Sequence, residues 1–231
     1  MIVHRHEFGD VFNHVFKDNT NGLKLLQVGA NDGSQSDPVN GIINQYKIES
    51  NLLEPIPVYF NMLRNTYKHS SWVKCHNIAI HPDGGKQEMT WIPPNDALPV
   101  WCRGLNTFDT SKNCIKNGMG GYEGKEDHSG EYWYPIIKEN EQKIVVNTMK
   151  LPDFLKTNSI ETIDVFVTDC EGYDWIVFEQ LDLDKYDPKL IFLETHTLGD
   201  EQNTLLDSKL KKYGYDIIDK GWNTVAIKIC Q

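Results

Sequence analysis

Basic residues are in deficit. The 231-residue chain carries 23 Lys and Arg against 33 Asp and Glu, a formal charge of −10. A nucleic-acid backbone is held by clustered Lys and Arg, so this balance argues against such a partner. The densest basic stretch, Lys209, Lys211 and Lys212 around Leu210, reads as an ordinary solvated helix face. Long apolar runs are missing too: nothing approaches the ~18 consecutive apolar residues of a membrane span. Residues Met1 to Glu7 are too polar for a secretory leader. Cysteines number five, an odd count without any Cys-x-x-Cys pair, which suits free thiols in a reducing compartment and offers no zinc-site spacing. A cytoplasmic protein is expected. There is no internal repeat, no low-complexity segment and no G-x-G-x-x-G fingerprint.

What remains is enough for a core: 39% of residues are apolar, at a mean hydropathy of −0.49. The length fits residues 1–231 as one domain carrying a sizeable insertion. Phe8, Val11, Phe12, Val15 and Phe16 fall at helical spacing. A first strand, Lys24 to Val28, runs into the turn Gly29-Ala30-Asn31-Asp32-Gly33-Ser34. Helices are expected over Pro38 to Tyr46, with Asp37 as cap, and over Tyr59 to Tyr67. Strands are expected at Ser50 to Glu54 and Trp72 to Ile80. This alternation predicts a parallel sheet with helices on its faces. After a turn at His81 to Gly85, Lys86 to Ile92 reads as an exposed or antiparallel strand. Pro93 to Gln142 has little periodicity but several aromatics, the pattern of a partly ordered cover. Strands return at Lys143 to Lys150, Ile163 to Thr168 and Lys189 to Leu193, with helices at Pro152 to Lys156, Tyr173 to Leu181 and Glu201 to Tyr213. Tyr215 to Ile218 and Thr224 to Ile229 read as a closing hairpin.

Four apolar strands end in polar residues: Gly29 to Gly33, Glu54, Asp169 with Glu171, and Glu194 with His196. A parallel sheet gathers all four along its carboxyl edge, where small ligands bind. Glu54 follows Gly29 by twenty-five residues, close to the spacing at which dinucleotide folds place an acid on a ribose. The glycine turn lacks the second glycine that admits a pyrophosphate. Asp32 would repel a phosphate but could hold an ammonium group. A nucleoside bearing an amino acid, such as S-adenosylmethionine, fits better than a dinucleotide.

These residues resemble a known family. Leu26 to Gly33, Leu53-Glu54-Pro55, Asn77-Ile78-Ala79, Asp164 to Tyr173 and Phe192-Leu193-Glu194 look like the FkbM-type methyltransferases. The likeness runs from about Leu25 to Ile229, and its most distinctive part is Asp169-x-Glu171-Gly172-Tyr173. Most members carry Asp where this chain has Gln27, and Lys or Met near Thr168. The resemblance implies an α/β fold: a Rossmann-like seven-stranded, mostly parallel sheet, helices on both faces and an antiparallel last strand. It implies S-adenosylmethionine as cofactor, lined by Gly29, Ala30, Asn31, Asp32, Gly33 and Pro55. Glu54 would bind the ribose and Asn77 with Ile78 would flank the adenine, while Asp169 would serve both cofactor and chemistry. The implied activity is O-methylation of a small molecule or glycan.

Methyl transfer to a hydroxyl needs a positioned nucleophile and a base. Asp169, Glu171 and His196 are the candidate catalytic residues; His196 titrates near neutrality when unperturbed. The competing role for the two acids is to cap the helix that follows. Asp169, Glu171 and His196 could instead hold Mg²⁺ or Mn²⁺, although no metal is the expectation. Trp101, Arg103, Tyr122, His128, Tyr132, Trp133 and Tyr134 mark a lid over about 93–142 that would carry the acceptor site. Two other classes stay open: a nicotinamide-dependent oxidoreductase, and a non-catalytic nucleoside-binding module.

Overall fold

The computed structural model describes residues 8–17, 19–35, 37–109 and 130–229. Elements follow in the order α1 (Phe8–Phe16), β1 (Lys24–Val28), α2 (Asn40–Tyr46), β2 (Glu49–Leu53), α3 (Pro57–Thr66), β3 (Val73–His76), β4 (Ala79–Ile80) and β5 (Gly85–Trp91). A 3₁₀ turn at Val100–Gly104 precedes α4 (Gly130–Asn140) and β6 (Gln142–Met149). The chain finishes with α5 (Leu151–Thr157), β7 (Val165–Thr168), α6 (Asp174–Phe178), β8 (Leu190–Glu194), α7 (Asp200–Lys212), β9 (Tyr215–Lys220) and β10 (Asn223–Lys228).

Seven strands form one sheet in the order β3-β2-β1-β7-β8-β10-β9. β3, β2, β1, β7 and β8 pair in parallel, and β10 runs antiparallel to both β8 and the edge strand β9. This is the Rossmann-like, mostly parallel sheet with a reversed last strand that the family likeness implied. Alternate residues of each strand feed two separate cores, as a period of two requires. Leu25, Val165, Val167, Leu190, Phe192 and Val225 pack against Phe8, Phe12, Ile43 and Leu63 of α1 to α3. Leu26, Val28, Phe166, Ile191, Leu193 and Ala226 pack against Phe154, Phe178, Leu206 and Leu210 of α5 to α7. Both faces are covered, which is why the inner strands read as continuous apolar runs.

One expected strand is two. Trp72 to Ile80 breaks at Asn77-Ile78: β3 stays in the main sheet, while β4 crosses into a second sheet of order β4-β6-β5. Asn77 makes the break, because its side-chain amide donates to Glu54 O at 2.9 Å and Pro55 O at 2.8 Å. The second sheet is seated on α3 through Ile56, Tyr59, Ala79, Met89 and Val146. Buried Tyr59 donates its hydroxyl to Ile92 O at 2.6 Å. The aperiodic middle stretch contains a helix, α4, whose Ile137 packs with Ile92, Leu98, Cys102 and Leu105 in a small core of its own. Pro135 inside α4 and the mixed polar sequence around it hide this helix from a periodicity reading. Tyr122, His128, Cys114 and Cys230 lie outside the described residues, and so do Met1 to Glu7. Among the described residues no helix is long and apolar enough to cross a membrane.

Candidate active site

The sheet changes winding direction between β1 and β7, since β1 leads outward to β2 and β7 leads the other way to β8. A crevice at the carboxyl ends of the strands is expected at such a point. A cavity of about 370 Å³ lies there.

The turn after β1 forms its floor. Gly29 has φ +85°, and a Cβ on it would overlap the Asp169 carbonyl oxygen and sit 2.9 Å from the Asp169 carbonyl carbon. Only glycine lets β1 and β7 stay paired while the chain turns there. The Gly29 and Ala30 N–H groups both donate to Leu53 O, at 3.0 and 2.9 Å. Asn31 takes φ +47° and donates its N–H to Glu54 Oε2 at 3.0 Å. Asp32 serves the turn itself: its Oδ1 accepts from Ser34 N–H, Ser34 Oγ and Gln35 N–H within 2.9 Å. Asp32 therefore touches the cavity, but one of its oxygens is already committed. Gly33 does not line the cavity. A Cβ there would come within 2.5 Å of Leu63 and 2.8 Å of Tyr67, so this glycine seats the turn on α3.

Glu54 stands at the end of β2 and is 4% exposed. Its Oε1 accepts from Ile56 N–H at 2.8 Å, and its Oε2 from Asn31 N–H. Each oxygen keeps one lone pair for a ligand. Burial pushes the carboxyl from its ordinary 4.5 up to about 7, against the two backbone donors that pull it down. Pro55 lines the cavity beside it.

The turn after β7 supplies the opposite wall. Glu171 and Gly172 both have positive φ, +52° and +92°. The N-cap residue of the helix that follows is Tyr173, whose side chain makes no capping hydrogen bond. Buried Asp174 ties the turn instead: its Oδ1 accepts from Thr168 Oγ1 at 2.6 Å and Cys170 N–H at 3.2 Å. Burial, reinforced by the negative charge of Asp169, raises Asp174 from 3.8 to about 7. Asp169 and Glu171 both line the cavity.

The middle stretch covers the crevice. Asn31 Nδ2 donates to Arg103 O at 3.0 Å, and a Cβ on Gly104 would lie 3.4 Å from Glu171 Oε1. Val100 and Trp101 line the cavity yet stay 44% and 40% exposed, which puts them at its mouth. His81, Phe108 and Tyr173 form an aromatic trio with ring centroids 5.2 to 5.7 Å apart, and the latter two line the cavity.

Besides Gly33, three expected positions sit elsewhere. Asn77 and Ile78 are not in the wall; Asn77 is spent on the strand break, Ile78 packs on the lower core, and Ala79 with Ile80 line the cavity in their place. His196 lies beyond the strand end in a separate surface depression with Asp200, Asn203 and Lys220, its ring centroid 4.1 Å from that of Trp222. Its strand partner Glu194 is the residue that joins Asp169 and Glu171: ligand oxygens of the three acids lie within 4.8 Å of one another.

Gln27 and Asp37 are polar wall residues that were not among the expected contacts. Gln27, 2% exposed, has its Oε1 buried without a hydrogen-bond partner. Asp37 caps α2 through Oδ1, which accepts from Val39 N–H at 2.7 Å; the Gln27 side chain, a nearby donor, pulls its pKa down, and its buried Oδ2 makes no hydrogen bond of normal geometry. Burial raises the Asp37 carboxyl from 3.8 to about 6. A polar residue at the fourth of five strand positions, on the face otherwise given to Leu25, is the signal that singles out Gln27.

A family model described as the methyltransferase FkbM domain matches residues 27–217. No curated protein sequence matches significantly. Among solved structures, methyltransferase FkbM from Methylobacillus flagellatus KT is 14% identical over 89% of this chain and 43% of its own, with a TM-score of 0.49. The chain thus spans less than half the length of that protein. The N-terminal domain of human METTL16 is 10% identical over 98% of this chain and 68% of its own, with a TM-score of 0.46. The Methanococcus jannaschii fibrillarin pre-rRNA processing protein is 13% identical over 91% and 68%, with a TM-score of 0.42.

Proposed function

The chain belongs to the FkbM methyltransferase family, and from that premise we propose that it moves a methyl group from S-adenosylmethionine to a hydroxyl of a small molecule or glycan. One observation carries the choice of cofactor. Gln27 Oε1, Asn31 Oδ1 and Asp37 Oδ2 are buried acceptors without a hydrogen bond of normal geometry, and all three residues line the same cavity as Glu54. Buried acceptors left unmade are costly, so the cavity calls for a ligand rich in donors and positive charge. S-adenosylmethionine offers an ammonium group, a sulfonium and a ribose diol. A dinucleotide offers a pyrophosphate, which this wall would repel; Arg103 is the one cationic residue among the described cavity-lining residues.

In this reading the Glu54 carboxylate takes the ribose hydroxyls, held in place by the Asn31 and Ile56 N–H groups. Gln27 and Asp37 take the ammonium. Gly29 keeps the floor low enough for the ligand to lie across β1. Bound there, the cofactor supplies a methyl on a positively charged sulfur, whose departure as a neutral thioether needs no acid. The protein must then orient the acceptor and receive its proton. Asp169 and Glu171, on the wall opposite Glu54, are the groups placed to receive it. Trp101 and the aromatic trio offer faces on which a sugar ring or other apolar surface can rest, and the 3₁₀ turn keeps water from the crevice.

Calorimetric titration with S-adenosylhomocysteine should give one site per chain. Transfer of labelled methyl from S-adenosylmethionine to a panel of glycans, natural-product alcohols and RNA then identifies the acceptor class. The acidic charge balance is the reason for proposing a non-nucleic acceptor, and methylation of RNA alone would overturn that part. Absence of S-adenosylhomocysteine binding, with NADH bound instead, would overturn the whole reading.

A further inference from the structure

We propose that Asp169, Glu171, Glu194 and Asn223 form a binding site for a hard divalent cation, Mg²⁺ or Mn²⁺, at the β7–β8–β10 end of the crevice. The three carboxylates can bring one ligand oxygen each within 4.8 Å of the others. Asn223 is the independent sign. It is 4% exposed, and its Oδ1 is buried without a hydrogen-bond partner.

The sheet register aims Asn223 at the acids. Thr168 of β7 pairs with Leu193 of β8, so the next step along both strands sets Asp169 beside Glu194. Glu194 pairs in turn with Asn223 of β10. All three share one face, because Val167, Phe192 and Val225, two residues away in each strand, all enter the same core. The Thr195 N–H donates to Trp222 O at 3.0 Å, which makes Glu194 and Asn223 a non-hydrogen-bonded antiparallel pair. Such pairs bring side chains closest, with Cβ atoms about 4.5–5.5 Å apart. Glu194 and Asn223 are thus cross-strand neighbours on one face, and a cation there gives the buried Asn223 Oδ1 its partner. Glu171 meets the other two acids from the left-handed turn after β7.

The donor set chooses the metal class. The four residues all donate oxygen, which suits hard cations rather than zinc or copper, and the His196 Nδ1 lies 3.7 Å from Glu194 Oε1. Four protein donors leave open positions in an octahedral shell, enough for water or an acceptor hydroxyl. A hydroxyl ligated there is made more acidic and its proton passes to solvent or to a carboxylate oxygen. That catalytic use rests on the methyl-transfer reading, but the binding of the cation does not.

The test is a Mn²⁺ titration of the full chain after EDTA treatment, followed by the loss of the free-ion electron paramagnetic resonance signal, with Mg²⁺ as competitor. One Mn²⁺ per chain, displaced by Mg²⁺, is expected. Glu194→Gln should weaken it by about tenfold or more. Asn223→Asp, which adds a fourth carboxylate, should tighten it, and this gain of function stands even if the first variant folds poorly. S-adenosylhomocysteine affinity should stay within about threefold in both variants, since Gln27, Asp37 and Glu54 are untouched. No stoichiometric Mn²⁺ in the wild type, or an affinity indifferent to both substitutions, overturns the site. Loss of S-adenosylhomocysteine binding with Mn²⁺ binding intact would instead overturn the methyl-donor reading and leave the cation site standing.

Discussion

Replacing Glu54 by glutamine separates ligand recognition from fold stability. The wild-type carboxyl is pushed from 4.5 to about 7 by burial, which makes its ionised form cost about 3 kcal/mol in the folded chain. The sign follows from the folded state holding the proton more tightly. Stability from this group is fully present below pH 4.5, declines as pH rises toward 7, and is lost above it. Glutamine abolishes that slope. It also sets an NH₂ group against one of the two backbone donors, Asn31 N–H or Ile56 N–H, a mismatch of about 1–3 kcal/mol. Near pH 8 the two effects offset each other, so the variant should match wild type to within about 2 kcal/mol in a urea titration. At pH 5 only the mismatch remains, and the variant should be the less stable. Ligand binding behaves differently. A hydrogen bond to a charged acceptor contributes about 1.5–3 kcal/mol, so losing one to the ribose should raise the S-adenosylhomocysteine Kd by about tenfold to a hundredfold. Calorimetry at pH 8 on a variant shown to be folded is the assay. A Kd within threefold of wild type would refute the ribose role of Glu54, and a stability gap that does not change between pH 5 and pH 8 would refute the burial argument.

Other substitutions probe the rest of the wall. Gly29→Ala forces a Cβ into the Asp169 carbonyl at φ +85° and should lower unfolding free energy by about 3 kcal/mol or more, read as a shifted urea midpoint; a near-normal midpoint would contradict the close β1–β7 approach. Asp37→Asn should weaken S-adenosylhomocysteine about tenfold at pH 8. In wild type that affinity should fall as the pH drops through about 6, where Asp37 takes up its proton, and the variant should lose this component of the pH profile. Asn77→Ala leaves Glu54 O and Pro55 O without their donor and should cost about 1–2 kcal/mol of stability, a melting shift of a few degrees. Its effect on ligand affinity should be smaller than that of Glu54→Gln, because Asn77 acts only through the backbone.

What could be read in the sequence was what depends on a few neighbouring residues. An apolar strand breaking into Gly29-x-x-x-Gly33 announces a tight turn, and acids directly after strands must collect at one sheet edge once the strands are parallel. Glu54, Asp169 and Glu171 follow strands in this way, and all three line the crevice. Local pattern does not say which atom of a residue is already engaged. Asp32 and Asp37 look alike in the sequence, yet Asp32 gives one oxygen to three donors of its own turn while Asp37 keeps one oxygen buried without a hydrogen bond of normal geometry. Gly33 looks like a ligand glycine but makes room for Leu63 and Tyr67. Partners far apart in the chain were hidden as well. The break at Asn77 depends on carbonyls more than twenty residues earlier, and the approach of Asn223 to Glu194 on an antiparallel register that no spacing announces. His196 and Glu194 differ by two residues; the histidine lies against Trp222 with its Nδ1 3.7 Å from Glu194 Oε1, while Glu194 also meets Asp169 and Glu171, and no spacing announces that arrangement.

The second sheet has a consequence for how such a chain can change. Strands β4 and β5 flank β6 on either side, and His81 N–H donates to Met149 O at 3.0 Å, so the polypeptide leaves and rejoins the main body at one place. Whatever lies between Trp91 and Gln142 hangs from that clasp, with its two ends already paired. Closing a longer excursion there adds only about 0.6 kcal/mol for each doubling of its length. The stretch over the mouth of the crevice can therefore be lengthened, shortened or exchanged while the sheet edge beneath keeps its register. A graft cut at Trp91 and Gln142 must restore two contacts to the body beneath it, the Arg103 carbonyl that accepts from Asn31 Nδ2 and the Ile92 carbonyl that accepts from Tyr59.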